Sequence, residues 1–228
     1  MDKNFKVRAS VSILLCAIAI PSLYIFNGVL FKVFFVLFAF VAAIELFSFL
    51  KHKKTFEHFI LAIIELGFLI YGTLFVLQTD VFHFWYVILG VPGYDTFAYL
   101  IGKKWGGKFS KKSRPFPKIS KNKTWEGTIG GVLVSFVLVL ALMLISGDLG
   151  KDWIYLLCGP LAVAGDLFES YVKRQFHIKD SNEIVIKNKF FAKLELLVGG
   201  SEGHGGYLDR LDSLAFTSAI LLILTAFI

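Results

Sequence analysis

The chain has 228 residues, 56% of them hydrophobic and 16% aromatic against only 18% charged, and its mean hydropathy is +0.70. A water-soluble domain of this length is far more polar, so the composition excludes one and indicates an integral membrane protein. The net charge of +7 sits in blocks that hug the ends of apolar runs, which argues for a charged membrane face and against a nucleic-acid partner.

A helical crossing of the bilayer core takes about 20 apolar residues. Seven runs meet that measure: 10–26, 29–50, 57–77, 81–101, 127–146, 152–172 and 208–227. The expected fold is therefore all-α, a polytopic helical membrane protein of about seven transmembrane helices with a cytoplasm-facing site. Residues 1–80 form the N-terminal transmembrane helices, and 81–228 a catalytic transmembrane region with cytoplasmic loops. Lys3, Lys6 and Arg8 precede the first run as they would in a signal peptide, but no small-x-small cleavage site closes it, so it reads as a retained helix.

Of the 24 Lys and Arg residues, three precede the first run, three lie at 51–54, nine at 103–123 and six at 173–193. Only Lys32 and Lys151 fall in the alternate loops. With the N-terminus in the cytoplasm, every basic block of a seven-span chain lands inside, as the positive-inside bias requires. The cell membrane, with the N-terminus and the site cytoplasmic, is the expected location.

Taken in order, spans 1 to 3 carry little chemistry besides Glu45 and Glu65. A carboxylate at mid-bilayer costs about 2.5–3.5 kcal/mol on insertion scales, so each is expected to face protein or water. Glu45, near a cytoplasmic end, either reaches the interface or serves a function; Glu65 reads as a polar contact between helices. Span 4 places Asp95, Tyr99 and Gly102 on one helical face, a groove floored by glycine and edged by a carboxylate. Close packing through small residues accounts for the glycine but not for the charge.

The loop from Gly102 to Glu126 holds nine cations before its first acid and ends Ser120-Lys-Asn-Lys123-Thr-Trp-Glu126-Gly127. Hydroxyls and an acid there can cap the next helix, and a helix N-terminus preceded by lysines suits phosphate. In span 6, Asp166, Ser170 and Lys173 fall at i, i+4 and i+7 on one face. Asp209 and Asp212, three apart, share a face of the last span. Three carboxylates and a lysine converging between two apolar helices is an arrangement for a cation and a phosphate. Residues 187–198 have the pattern of an amphipathic surface helix. The glycines at 199, 200, 203, 205 and 206 make a flexible entry to the last span, within which His204 either contacts phosphate or caps a turn. Cys16 and Cys158 read as small buried hydrophobes.

Ser170-Tyr-Val-Lys173-Arg174, then Lys179-Asp180, and later His204-Gly-Gly-Tyr-Leu-Asp209-Arg210-Leu-Asp212 resemble the C-terminal signature of the phosphatidate cytidylyltransferase, or CDP-diacylglycerol synthase, family. The resemblance extends to Asp95-Thr-Phe-Ala-Tyr99-Leu-Ile-Gly102-Lys103 and to Ser120-Lys-Asn-Lys123-Thr-Trp-Glu126-Gly127, and covers most of residues 90–215. The chain departs from the pattern at Lys121, where a proline is common, and at Asn182, where a small residue is usual. About 16 extra residues also lie between Asp180 and His204, in a cytoplasmic loop where added length costs little closure entropy. The chain is short for the family, which suggests fewer N-terminal spans.

The resemblance implies the reaction of CTP with phosphatidic acid to give CDP-diacylglycerol and pyrophosphate, with Mg²⁺ as cofactor and room for a monovalent cation such as K⁺. Asp166, Asp209 and Asp212 offer hard oxygen donors that suit Mg²⁺ better than zinc. Lys173 and Arg174 would neutralise phosphate, Lys123 and Ser120 would grip CTP, and Asp95 would hold nucleotide or a metal-bound water. Glu126, Ser170, Lys179, Asp180, His204 and Arg210 complete the expected substrate-binding set. A homodimer is compatible with this reading. Two alternatives stay open: a CTP-dependent polyprenol or isoprenoid kinase, and a membrane transporter, which would spread its acids along a path across the bilayer.

Overall fold

The computed structural model of the chain describes residues 28–52, 55–111, 114–147, 150–178 and 206–227. Six α-helices lie among the described residues: α1 Val29–His52, α2 Phe56–Gln78, α3 Val81–Trp105, α4 Trp125–Ser146, α5 Cys158–Gln175 and α6 Leu208–Thr225. No strand occurs among them, so the all-α expectation holds. Every expected span from residue 29 onward falls on a helix. The first expected span and the amphipathic segment at 187–198 lie outside the described residues.

At about 1.5 Å per residue, the 22 to 25 residues of α1 to α4 match a hydrocarbon core of about 30 Å. Three helices, α1 (as Val29–Leu50), α2 and α4, are long and apolar enough to cross a membrane on those grounds alone. At most 33% of each such stretch is buried, so most of its surface faces outward. Phe40, Ile63 and Leu133 are all more than half exposed, as side chains meeting lipid would be. α5 and the first turns of α6 are more buried and carry Asp166, Glu169, Lys173 and Asp209. The expected span at 152–172 begins with a 3₁₀ segment, Lys151–Leu157, before α5 takes over.

Local signals set the helix ends. Asp80 accepts the His83 N–H at 2.9 Å to start α3, and Thr124 Oγ1 accepts the Gly127 N–H at 3.1 Å to start α4. Gly147, with φ of 81°, closes α4 in the left-handed conformation. Small residues then let the helices cross closely. A Cβ on Gly127 would lie 2.6 Å from the Ala98 carbonyl oxygen of α3, and one on Gly165 would lie 2.8 Å from Phe216 Cβ of α6. The first crossing draws Asp95 toward the loop before α4; the second draws Asp166 toward α6.

An apolar core surrounds these crossings. Phe68, Phe168 and Phe216 form an aromatic cluster joining α2, α5 and α6, with ring centroids 4.5 to 6.3 Å apart. Phe49 of α1 meets Phe176 beyond α5 at 5.5 Å. Edge-on and tilted rings of this kind add to the area they bury and fix the relative rotation of the helices.

Candidate active site

Helical spacing puts Asp166, Glu169, Ser170 and Lys173 on one face of α5. Two lysine centres grow from that face. In the first, Lys123, from the loop before α4, pairs with Asp166 at 2.5 Å and donates to the Tyr94 hydroxyl of α3 at 3.4 Å. Ser170 Oγ donates to Asp166 Oδ1 at 3.4 Å. Burial opposes a charge on Lys123, but Asp166 and Tyr94 beside it hold its ammonium above the ordinary lysine range.

In the second centre, Lys173 pairs with Glu169 of its own helix at 2.6 Å and with Asp209 of α6 at 2.5 Å. The other oxygen of Asp209 accepts the Gly206 N–H at 2.7 Å. The Glu169 side chain is 1% exposed, so its charge depends on Lys173 rather than on water. Asp212 accepts the N–H of Ser213 at 2.6 Å. It lies within electrostatic reach of Asp166, Asp95 and Lys173. Glu65 of α2, 4% exposed, is likewise within reach of Lys173.

A cavity of about 480 Å³ opens between α3, the loop before α4, and α5. Asp95, Ser120, Asn122, Lys123, Thr128 and Asp166 line it, with Arg114 and Lys103 at its cationic edge. Its size and its few convergent polar groups suit a small polyanion. Arg114 donates to the Asn122 carbonyl at 3.3 Å and so holds the loop that carries Ser120 and Lys123.

The expected site residues divide as follows. Asp95, Ser120, Lys123 and Asp166 meet in the cavity. Ser170 reaches it through Asp166, and Lys173 and Asp209 form the neighbouring centre. Arg174 donates to the Ile178 carbonyl at 3.2 Å, where it closes the end of α5, and Arg210 is exposed. Glu126 turns away from the cavity and accepts the N–H groups of Phe109 and Ser110, at 3.0 and 2.8 Å, folding the basic loop back on α4. Lys179, Asp180 and His204 lie outside the described residues.

Asp166, Asp209 and Asp212 do not converge at ligand distance: among the described residues no group of three His, Cys, Asp or Glu side chains forms a metal cage. Each is turned to a lysine or a backbone N–H instead. The chemistry of the set nevertheless fits a hard cation. Asp95, Asp166, Asp212, Glu169, Asp209 and Glu65 form one electrostatically connected network around Lys123 and Lys173, so six carboxylates face two ammonium groups.

Tyr94, Glu169, Glu65 and Glu45 take part without having been among the expected site residues. Tyr94 adjoins Asp95 in sequence, and Glu169 stands three residues from Asp166, so adjacency and helical period point to both. Glu45 had no such signal. It is 1% exposed rather than at the interface, and it accepts the N–H groups of Tyr207 and Leu208.

Fold and site together define a helical membrane protein with a polar, doubly lysine-centred site opening on one end of its bundle. Residues 76–186, spanning α3, α4 and α5, match the cytidylyltransferase family. The phosphatidate cytidylyltransferase of Bacillus subtilis is 32% identical over 228 residues, covering 94% of this chain and 76% of that protein. That of Staphylococcus aureus (strain COL) is 34% identical over 181 residues, 76% of this chain and 62% of the relative. That of Aquifex aeolicus is 37% identical over 137 residues, 60% and 44% respectively. The chain belongs to the cytidylyltransferase family.

Proposed function

We propose that this chain transfers CMP from CTP to phosphatidic acid, yielding CDP-diacylglycerol and pyrophosphate for phospholipid synthesis. It is a nucleotidyltransferase of the membrane. The observation that carries the reading is the pair of lysine–carboxylate centres beside a cavity of nucleotide-phosphate size, in a chain similar along most of its length to phosphatidate cytidylyltransferases.

The chemistry asks for charge neutralisation more than for a base. A phosphate oxygen of the lipid is already anionic; it attacks the α-phosphorus of CTP, an O–P bond forms, and the bond to the β-phosphate oxygen breaks as pyrophosphate leaves with the electron pair. Lys123 and Ser120 grip the nucleotide phosphates in the cavity, and Asp95 orients the nucleotide at its wall. Lys173 offsets the charge that gathers as two anions meet, where such stabilisation is worth most. Carboxylates of the network around the two lysines, Asp166, Asp209 and Asp212 among them, would hold Mg²⁺, with K⁺ beside it, once turned from their lysine and backbone partners, and the metal would supply further neutralisation of the phosphates when bound.

The basic blocks support a seven-span chain in the cell membrane with the N-terminus and site in the cytoplasm, where CTP arrives from water and the lipid from the leaflet. The test is purified protein with phosphatidic acid, Mg²⁺ and CTP labelled at the α- or γ-phosphate. Label from the α-position in the lipid, with pyrophosphate released, is the expected result. Label from the γ-position in a lipid, with CDP released, would overturn it in favour of a lipid kinase.

A further inference from the structure

We infer that Glu45, on a helix outside the region that matches the family, is a positioning residue that sets the first turn of α6 and thereby holds Asp209 against Lys173. The inference rests on the functional reading above for the role of Asp209. Its own basis is the way α6 begins.

A helix leaves its first N–H groups without intrahelical partners, and a Ser, Thr, Asp or Asn at the cap position ordinarily takes one of them. Here Tyr207 occupies that position and its side chain caps nothing. Acceptors come from elsewhere. Glu45 Oε1 accepts the Tyr207 N–H and Oε2 the Leu208 N–H, each at 2.9 Å, across 162 and 163 residues of sequence. Asp209 Oδ2 takes the Gly206 N–H at 2.7 Å. One carboxylate from α1 and one from α6 thus satisfy three successive donors.

Both oxygens of Asp209 are directed by this arrangement. Oδ2 is fixed to the turn that Glu45 clamps, which leaves Oδ1 aimed at Lys173, 2.5 Å away. Phe38, two turns before Glu45 on the same face of α1, packs against the Tyr207 ring at 5.6 Å between centroids and steadies the same turn. A carboxylate is the side chain that suits the position. Two acceptor oxygens face two parallel N–H groups, whereas a glutamine would present one acceptor and one donor. Glu45 is also 1% exposed, where a charge without partners is costly, and these two charge-assisted hydrogen bonds offset that cost.

Glu45→Gln and Glu45→Asp, assayed beside the wild type in detergent or lipid, test the inference. In Glu45→Gln, amide hydrogen exchange at Tyr207 and Leu208 is expected to accelerate while α2 and α4 keep their protection. Turnover (kcat) is expected to fall about 10- to 100-fold, the scale of losing a partner that orients a site ligand. KM for CTP should stay within about 2-fold, because the nucleotide cavity does not include Glu45. Glu45→Asp keeps the charge on a shorter arm and should fall between Glu45→Gln and the wild type. Wild-type kcat in Glu45→Gln despite loosened amides would overturn the inference. So would loosening of every helix, or failure of both variants to fold, since a purely structural tie predicts those. A wild-type protein that makes no CDP-lipid sinks the functional reading and the positioning claim with it. Wild-type turnover with an unaffected Glu45→Gln sinks the positioning claim alone.

Discussion

The two lysine centres use the same chemistry in different surroundings. Lys123 reaches Asp166 from a loop, both side chains keep contact with an open cavity, and their exposures are 15% and 29%. Lys173 joins two helices, with Glu169 at 1% and Asp209 at 13% exposure, and Glu65 stands behind it. The ion-pair distances, 2.5 Å in the first centre and 2.5 and 2.6 Å in the second, do not separate them, nor do the lysines, 15% and 12% exposed. The access of their carboxylates to water does. An accessible pair exchanges partners at little cost, as a phosphate-binding lysine must. A buried pair is costly to break because the partner left behind is a charge out of water. The first centre is thus suited to receive a ligand and the second to hold α5 against α6.

The largest expected effect tests the buried side of that contrast. Lys173→Met leaves Glu169 and Asp209 without their shared cation, and loss of one partner of a buried ion pair costs about 3–5 kcal/mol. Denaturant unfolding in detergent should show it, with activity lost as well. Next is Asp166→Asn, which should lower turnover about 10²- to 10³-fold, the range for removing a preorganised electrostatic group. Its unfolding midpoint should stay near that of the wild type, because water and Tyr94 remain beside Lys123. If Asp166→Asn proves as destabilising as Lys173→Met, the distinction between the centres fails. Smaller again is Lys123→Met: KM for CTP should rise about 10- to 100-fold, the worth of one hydrogen bond to a charged group, with kcat less affected. A change confined to kcat would move Lys123 from nucleotide binding to the reacting atoms.

The same contrast separates what the sequence reveals from what it does not. Asp166, Ser170 and Lys173 were legible because helical period places them on one face of a single segment. Ser120 and Lys123 were legible as polar residues immediately before an apolar run, and the helices themselves from their length and hydropathy. The pairing of Lys123 with Asp166 was not legible, since it depends on how closely α5 packs against α4, where a Cβ on Gly159 would lie 3.0 Å from Ser135 Cβ. Nor was the turn of Glu126 away from the cavity to the Phe109 and Ser110 amides, because its position at a helix start suits capping and ligand binding equally. Glu45 was the least legible. Its partners are backbone N–H groups 162 and 163 residues away, which no side-chain pattern encodes. The expected metal trio is not gathered in this arrangement of side chains: Asp166 and Asp212 come within electrostatic reach of each other, and lysines and backbone donors occupy the near positions.

The smallest effect concerns pH and sharpens the open centre. Burial alone would pull the Lys123 ammonium down, yet Asp166 and Tyr94 carry it above the lysine value of about 10.4. A group whose proton is held more tightly in the folded state adds stability that is complete below its unfolded pKa. That stability is lost only as pH climbs through the higher folded value. The stability difference between the wild type and Lys123→Met should therefore be flat from about pH 7 to 9 and shrink only beyond about 10.4. Denaturant unfolding of both proteins in one detergent over that range measures it. Wild-type stability that instead climbs relative to Lys123→Met between about pH 7 and 9 would mean that the folded state binds this proton less tightly than the unfolded one, so that desolvation, not Asp166, governs it. The open pair would then behave like a buried, unpartnered lysine, and its role as a cation that passes from carboxylate to nucleotide phosphate would lose its physical basis.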